Sequence, residues 1–154
     1  MKGIKFFVFA CVMMFSVSIF GQTARISKYE VPGYVTEFVQ KFYSNYEGGR
    51  YYLEYSDKYS KLEEYEVVFR NDTKLEFDTK GNLKSIDCGR GDSINPKILP
   101  IEIAGYIDIK YPNVKIIEYS VDDIGKRREE HEVELSNGLT LTFNKRFKLV
   151  EREY

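Results

Sequence analysis

Hydrophobic residues along the chain change period from helical to strand-like and then do so again. Val35, Phe38, Val39 and Phe42 fall at i, i+3, i+4 and i+7, the spacing of one helix face. Pro32 suits the first turn of that helix, and Gly48-Gly49 interrupts the chain after it. The period then becomes two. Tyr51, Leu53 and Tyr55 alternate with Tyr52, Glu54 and Ser56, and Tyr65, Val67 and Phe69 alternate with Glu66, Val68 and Arg70. Leu75 and Phe77 continue the alternation after an Asn71-Asp72 turn, and a further strand runs from about Leu83 to Cys88.

The same series recurs downstream. Ile103, Tyr106 and Ile107 repeat the helix face, opened by Pro100 and closed by Pro112. Strands follow around Ile117/Tyr119, His131/Val133/Leu135, Leu139/Leu141/Phe143 and from Leu149, with Asn137-Gly138 as a hairpin turn. Val31-Pro32 matches Leu99-Pro100 at an offset of 68, and Tyr65-Glu66-Val67 matches His131-Glu132-Val133 at 66. Leu53-Glu54-Tyr55-Ser56 matches Ile117-Glu118-Tyr119-Ser120 at 64. Such drift is what small loop insertions leave in a tandem duplication. The expected fold is α+β in two layers. Each copy is one helix followed by about four antiparallel strands, and the helices cover one face of a curved sheet. Residues 30–88 form the first repeat, 89–96 an exposed linker rich in Gly, Asp, Ser, Asn and Pro, and 97–154 the second.

Residues 1–21 read as an export signal: Lys2 and Lys5, an apolar run from Phe6 to Phe20, and a small Gly21. The run is too short for a membrane span, which needs about 20 apolar residues. The mature chain, 22–154, is then a single periplasmic or secreted domain with no membrane insertion after cleavage. Losing Lys2 and Lys5 from 23 basic residues leaves 21 against 24 acidic, a net charge of −3. That is no electrostatic footprint for nucleic acid. Cys88 is the mature chain's lone cysteine, so an internal disulfide is excluded and a half-buried structural thiol is expected. All 13 tyrosines lie in the mature chain. Tyrosine suits half-buried sheet positions and contact surfaces alike.

The Val/Leu-Pro helix openings, the Tyr-Glu-Val strand and the Leu75-x-Phe77-Asp78-x-x-Gly81 hairpin resemble the beta-lactamase-inhibitor-like, PepSY-like proteins of bacterial envelopes. The resemblance extends over nearly the whole mature chain. It implies the same two-layer fold and an envelope location, and it does not by itself assign an activity. In the second copy Asn144-Lys145-Arg146-Phe147 stands where the first has Asp78-Thr79-Lys80-Gly81. The strand expected from Leu149 is therefore entered without the turn glycine of the first copy.

No motif supplies a nucleophile with its base, a metal cage or a phosphate cradle, so no catalytic, cofactor or metal residues are assigned. His131, the single histidine, takes the place of Tyr65 in phase with Val133 and Leu135, which makes it a core-facing residue near a strand start. Asp122-Asp123 and Glu129-Glu130 lack calcium-loop spacing. Arg90-Gly91-Asp92 reads as a turn-forming linker. Tyr52, Val68, Ile86 and Ile116 are expected on the solvent face of the sheet, forming a modest apolar patch for a protein or peptide partner. The expected function is therefore a non-enzymatic, inhibitor-like binding module. The alternatives are a ligand carrier or enzyme with a pocket between helices and sheet, and a structural component of an envelope assembly.

Overall fold

The computed structural model describes residues 23–56 and 61–154; the leader lies outside them. In the first half, strand β1 (Thr23–Ile26) precedes helix α1 (Gly33–Phe42) and strands β2 (Arg50–Ser56), β3 (Lys61–Val68), β4 (Lys74–Asp78) and β5 (Leu83–Asp87). In the second, helix α2 (Ile101–Lys110) precedes β6 (Ile116–Asp122), β7 (Glu130–Leu135), β8 (Thr140–Asn144) and β9 (Leu149–Glu153). The nine strands form one open sheet in chain order, every neighbour antiparallel. Each helix starts just after its proline. Pro32 and Pro100 occupy the cap positions, and their carbonyls accept the amides of Val35 and Ile103, both at 3.0 Å.

Both helices lie on the face of the sheet that carries Val67, Leu75, Phe77 and Ile86 in the first copy and Val133, Leu141 and Phe143 in the second, all at most 1% exposed. The packing repeats with the chain. Phe38 of α1 meets Phe77 edge-on at 5.2 Å, and Tyr106 of α2 meets Phe143 in the same way at 5.6 Å. Cross-strand partners fix the equivalences: Tyr51 lies opposite Val67, and Tyr119 lies opposite Val133. The offset is therefore 68 through the helix and first hairpin strand, and 66 thereafter. The match of Leu53–Ser56 to 117–120 at offset 64 is a coincidence of letters; Leu53 stands where Val121 does. The short β1 was not foreseen, because four residues show no usable alternation. It sets Ile26 against Tyr51, as β5 sets Ile86 against Tyr119.

Turn chemistry also repeats. The Asn71 and Asn137 side chains accept the amides of Thr73 and Leu139, and the next residues, Asp72 and Gly138, take positive φ. Asp78 Oδ1 accepts the amides of Lys80 and Asn82, and Asn144 Oδ1 accepts those of Arg146 and Lys148. The last hairpin thus forms without a glycine. Phe147 itself holds φ 57°, in the place of Gly81 at 97°.

Candidate functional site

The face of the sheet away from the helices is left uncovered by them. Tyr52 and Val68 lie on it, half-buried, paired with Glu66 and Arg50 respectively. Ile86 and Ile116 do not: they are 0% and 4% exposed and belong to the core. One cause accounts for both corrections. The register slips between Glu76 and Phe77 opposite β5, and again between Ile116 and Glu118 in β6. Each bulge inserts one residue and flips the alternation beyond it. Lys84 and Ile117 are the inserted residues, so Ile86 and Ile116 turn inward while Lys84 points out to Glu64.

The face carries a charge asymmetry between the copies. In the first, Lys74 Nζ lies 2.9 Å from Glu66 and 2.6 Å from Glu76, and Lys84 pairs with Glu64. Burial alone would raise the Glu76 carboxyl, but hydrogen bonds from Lys74 and Ser85 outweigh it and hold it below its usual value. In the second copy the positions of Arg50, Lys74 and Lys84 hold Glu118, Thr140 and Val150. Acids face acids in both copies, but the first copy's Glu64, Glu66 and Glu76 are paired with lysines, whereas Glu118 opposite Glu134 and Asp87, and Asp122 opposite Glu130, have no such base among the described residues. Thr142 lies between Glu132 and Glu151. Like charges directly opposite one another are destabilising. Burial, then the charges of Asp87, Glu134 and Glu132, push Glu118 up to about 7. Glu132 is raised too, by burial and then by Asp122, Glu153, Glu134 and Glu151.

The other candidates are engaged within the fold. His131 is buried, as its phase implied. Its Nδ1 lies 3.0 Å from Tyr119 Oη and its Nε2 lies 3.4 Å from Glu129. Burial lowers its pKa against the opposing pull of Glu129, which favours the neutral ring. The Asp92 carboxylate accepts from Tyr46 Oη, from Asn71 Nδ2 at 3.1 Å and from the Ser93 amide, so the Arg90-Gly91-Asp92 turn spends its acid internally. Cys88 is half-buried, and burial, then Asp92 and Asp87, push its thiol up to about 12. Among the described residues no group of three His, Cys, Asp or Glu side chains is placed to hold a metal ion.

The model of the family described as "Putative beta-lactamase-inhibitor-like, PepSY-like" matches residues 63–151, more than half of the chain. The chain belongs to this family. Solved structures similar to this PepSY-like protein include one from Bacteroides thetaiotaomicron described as a "putative calcium-regulated periplasmic protein". It is 28% identical with a TM-score of 0.74, over 86% of this chain and 97% of that one. Two from Bacteroides vulgatus, one of the DUF2874 family and one described as of unknown function, are each 22% identical. Their TM-scores are 0.73 and 0.71, and each match covers 86% of this chain, with 98% and 100% of the other. All three are described as periplasmic, the compartment read from the leader. No curated protein matches the sequence.

The acidic half of the outer face was missed by reading the residues one at a time. Taken singly, Glu132, Thr140 and Thr142 are ordinary polar residues of a solvent face. The signal was present in the duplication itself. Aligned at the right offset, the copies keep outward acids at Glu54/Asp122, Glu64/Glu130 and Glu66/Glu132 but lose the bases Arg50, Lys74 and Lys84, while their inward positions agree.

Proposed function

We propose that this PepSY-like protein is an exported, non-enzymatic binding module whose outer sheet face engages a cationic protein or peptide, chiefly through the second repeat. The observation that carries the reading is the loss of every outward base of the first repeat at the equivalent place in the second. An uncompensated acidic surface repels itself, and a Lys/Arg-rich partner relieves that repulsion while being steered to the surface. The half-exposed Tyr52 and Val68 add apolar contact at the far side of the same face. Calcium, named in the description of one relative, is the competing occupant of an acidic surface.

The test is titration of the mature protein with a Lys/Arg-rich peptide and with its Glu-substituted counterpart at several salt concentrations. Binding of the basic peptide alone, weakening steeply with NaCl and lost in Glu132→Gln/Glu134→Gln, supports the reading. Equal binding of both peptides, or binding indifferent to salt, overturns it. Saturable calcium binding at low millimolar concentration or below, with no peptide binding, assigns the face to the cation.

A further inference from the structure

Each repeat contains a cleft on the helix side of the sheet, and the two clefts are equivalent. The first, 650 Å³, lies between α1, the segment entering it and β2. The second, 460 Å³, lies along α2 in the corresponding place. At the offset of 68, Val39 and Tyr43 of the first match Ile107 and Tyr111 of the second. The recess is thus a product of the duplicated fold. The polar lining is not shared. Lys28, Thr36, Gln40 and Tyr46 of the first stand where the second has Pro96, Ala104, Asp108 and Val114. Both volumes fall in the usual range for small-ligand sites, roughly 300–1,000 Å³.

We propose that the first cleft binds an acidic sugar, a hydroxylated pyranose ring bearing a carboxylate. Three features select that chemistry. Tyrosine rings surround the recess: Tyr29 stands 84% exposed at its rim, while Tyr46 and Tyr51 are half-buried in its wall. The face of an aromatic ring is negative and accepts the weakly positive C–H face of a pyranose. Gln40 and Ser44 supply hydrogen-bonding groups for hydroxyls. The charged lining is a cation: the Lys28 ammonium sits 5.1 Å from the centre of the Tyr29 ring, and among the described residues no carboxylate lines the cleft. The second cleft differs at these positions, with Asp108 in place of Gln40 and apolar Pro96, Ala104 and Val114 in place of Lys28, Thr36 and Tyr46, while Ser93, Asn113 and Lys115 are the rest of its polar lining. It is the internal control. The site lies on the opposite layer from the acidic sheet face, so it stands or falls independently of the partner proposed for that face.

The experiment is a titration of isotope-labelled mature protein with the trisaccharide of galacturonic acid, followed by amide NMR shifts, with maltotriose as the neutral control. The expected result is saturating shifts confined to residues 28–51, with affinity for maltotriose at least about tenfold weaker. Lys28→Ala and Gln40→Asp, both at exposed positions, should each weaken binding by at least about tenfold, the scale of one charge-assisted contact. Asp108→Gln should change nothing. The proposal is overturned by the absence of saturating shifts, by equal affinity for maltotriose, by shifts mapping to 104–119, or by unchanged binding in Lys28→Ala.

Discussion

The Phe147 ring meets the imidazole of His131 edge to face, with 5.0 Å between centroids and 60° between planes. In the first repeat the equivalent Tyr65 is met in the same manner, at 6.3 Å and 80°, by Tyr34. The two covering rings have different origins. Tyr34 comes from α1 and lies over Gly81, where an added Cβ would stand 3.0 Å from the ring. In the second repeat α2 offers the exposed Glu102 at that position, and the turn supplies its own ring from Phe147. A glycine and a distant aromatic in one copy do the work of a single strained aromatic in the other.

Substitutions at these turns should therefore behave differently. Gly81→Ala meets both a φ of 97° and the Tyr34 ring, and should destabilise by more than about 1 kcal/mol. Phe147→Gly relieves a left-handed backbone worth about 1–2 kcal/mol but uncovers His131. Since a fully buried phenylalanine is worth about 3–5 kcal/mol and Phe147 is half-buried, the net should be a loss of about 1 kcal/mol. Urea unfolding of both variants measures this; a gain in stability for Phe147→Gly would show that relief of the backbone outweighs the packing of the ring.

What the residues declared in advance was whatever depends on uninterrupted periodicity. Val35 to Phe42 gave α1, Val67 and Val133 gave matching strands, and Asn137-Gly138 gave its hairpin. What they concealed was single-residue irregularity. Lys84 and Ile117 each carry a bulge, and no local signal distinguishes a bulged residue from the next step of an alternation, so Ile86 and Ile116 were assigned to the wrong face. The electrostatic asymmetry was hidden for a related reason. It exists only relative to the correct offset, and the chance likeness of Leu53–Ser56 to 117–120 pointed to another.

The core equivalence predicts equal penalties. Phe77 and Phe143 are each 1% exposed and each packed edge-on by a helix aromatic. Replacing either by alanine should cost about 3–5 kcal/mol in denaturant unfolding. A cost below 1 kcal/mol at either position would mean that the two halves do not share one packing scheme.

Crowding of the second repeat's acids should appear as pH-dependent stability. Glu118 ionises near 7 when folded and near 4.5 when unfolded, chiefly because it is buried and then because Asp87 and Glu134 face it. Between these values the native state holds more protons than the unfolded one, so stability falls as pH rises from about 4.5 through 7. Burial and then Glu64 push Glu54 of the first repeat up to about 7 as well, so Glu118→Gln should weaken that dependence rather than abolish it, raising the melting temperature at pH 8 and leaving it little changed at pH 4.5. Parallel melting curves for the two proteins across this range would contradict the assignment.

The burial of Cys88 predicts a quiet thiol. With its pKa pushed up to about 12, almost none is thiolate at neutral pH, and the thiolate is the reactive form. Native protein should react with a disulfide reagent at least about tenfold more slowly than the urea-unfolded chain, and should remain free of Cys88-linked dimers in air. Rapid native labelling would place the sulfur at the surface.

The outer face can be tested by writing the first repeat's charges into the second. Glu118→Arg and Thr140→Lys restore the bases that Arg50 and Lys74 supply upstream, and the new lysine would face Glu132 and Glu134 as Lys74 faces Glu66. Removing like-charge contacts should leave stability unchanged or raise it by a few tenths to about 1 kcal/mol. Capture of a cationic partner should be lost. Val68→Asp, on the same face, should fold normally, whereas Ile86→Asp should not, since it buries a carboxylate without a partner. These outcomes separate surface from core and function from folding. A double-base variant that folds and still binds the Lys/Arg-rich peptide would show that the second repeat's acids do not form the contact.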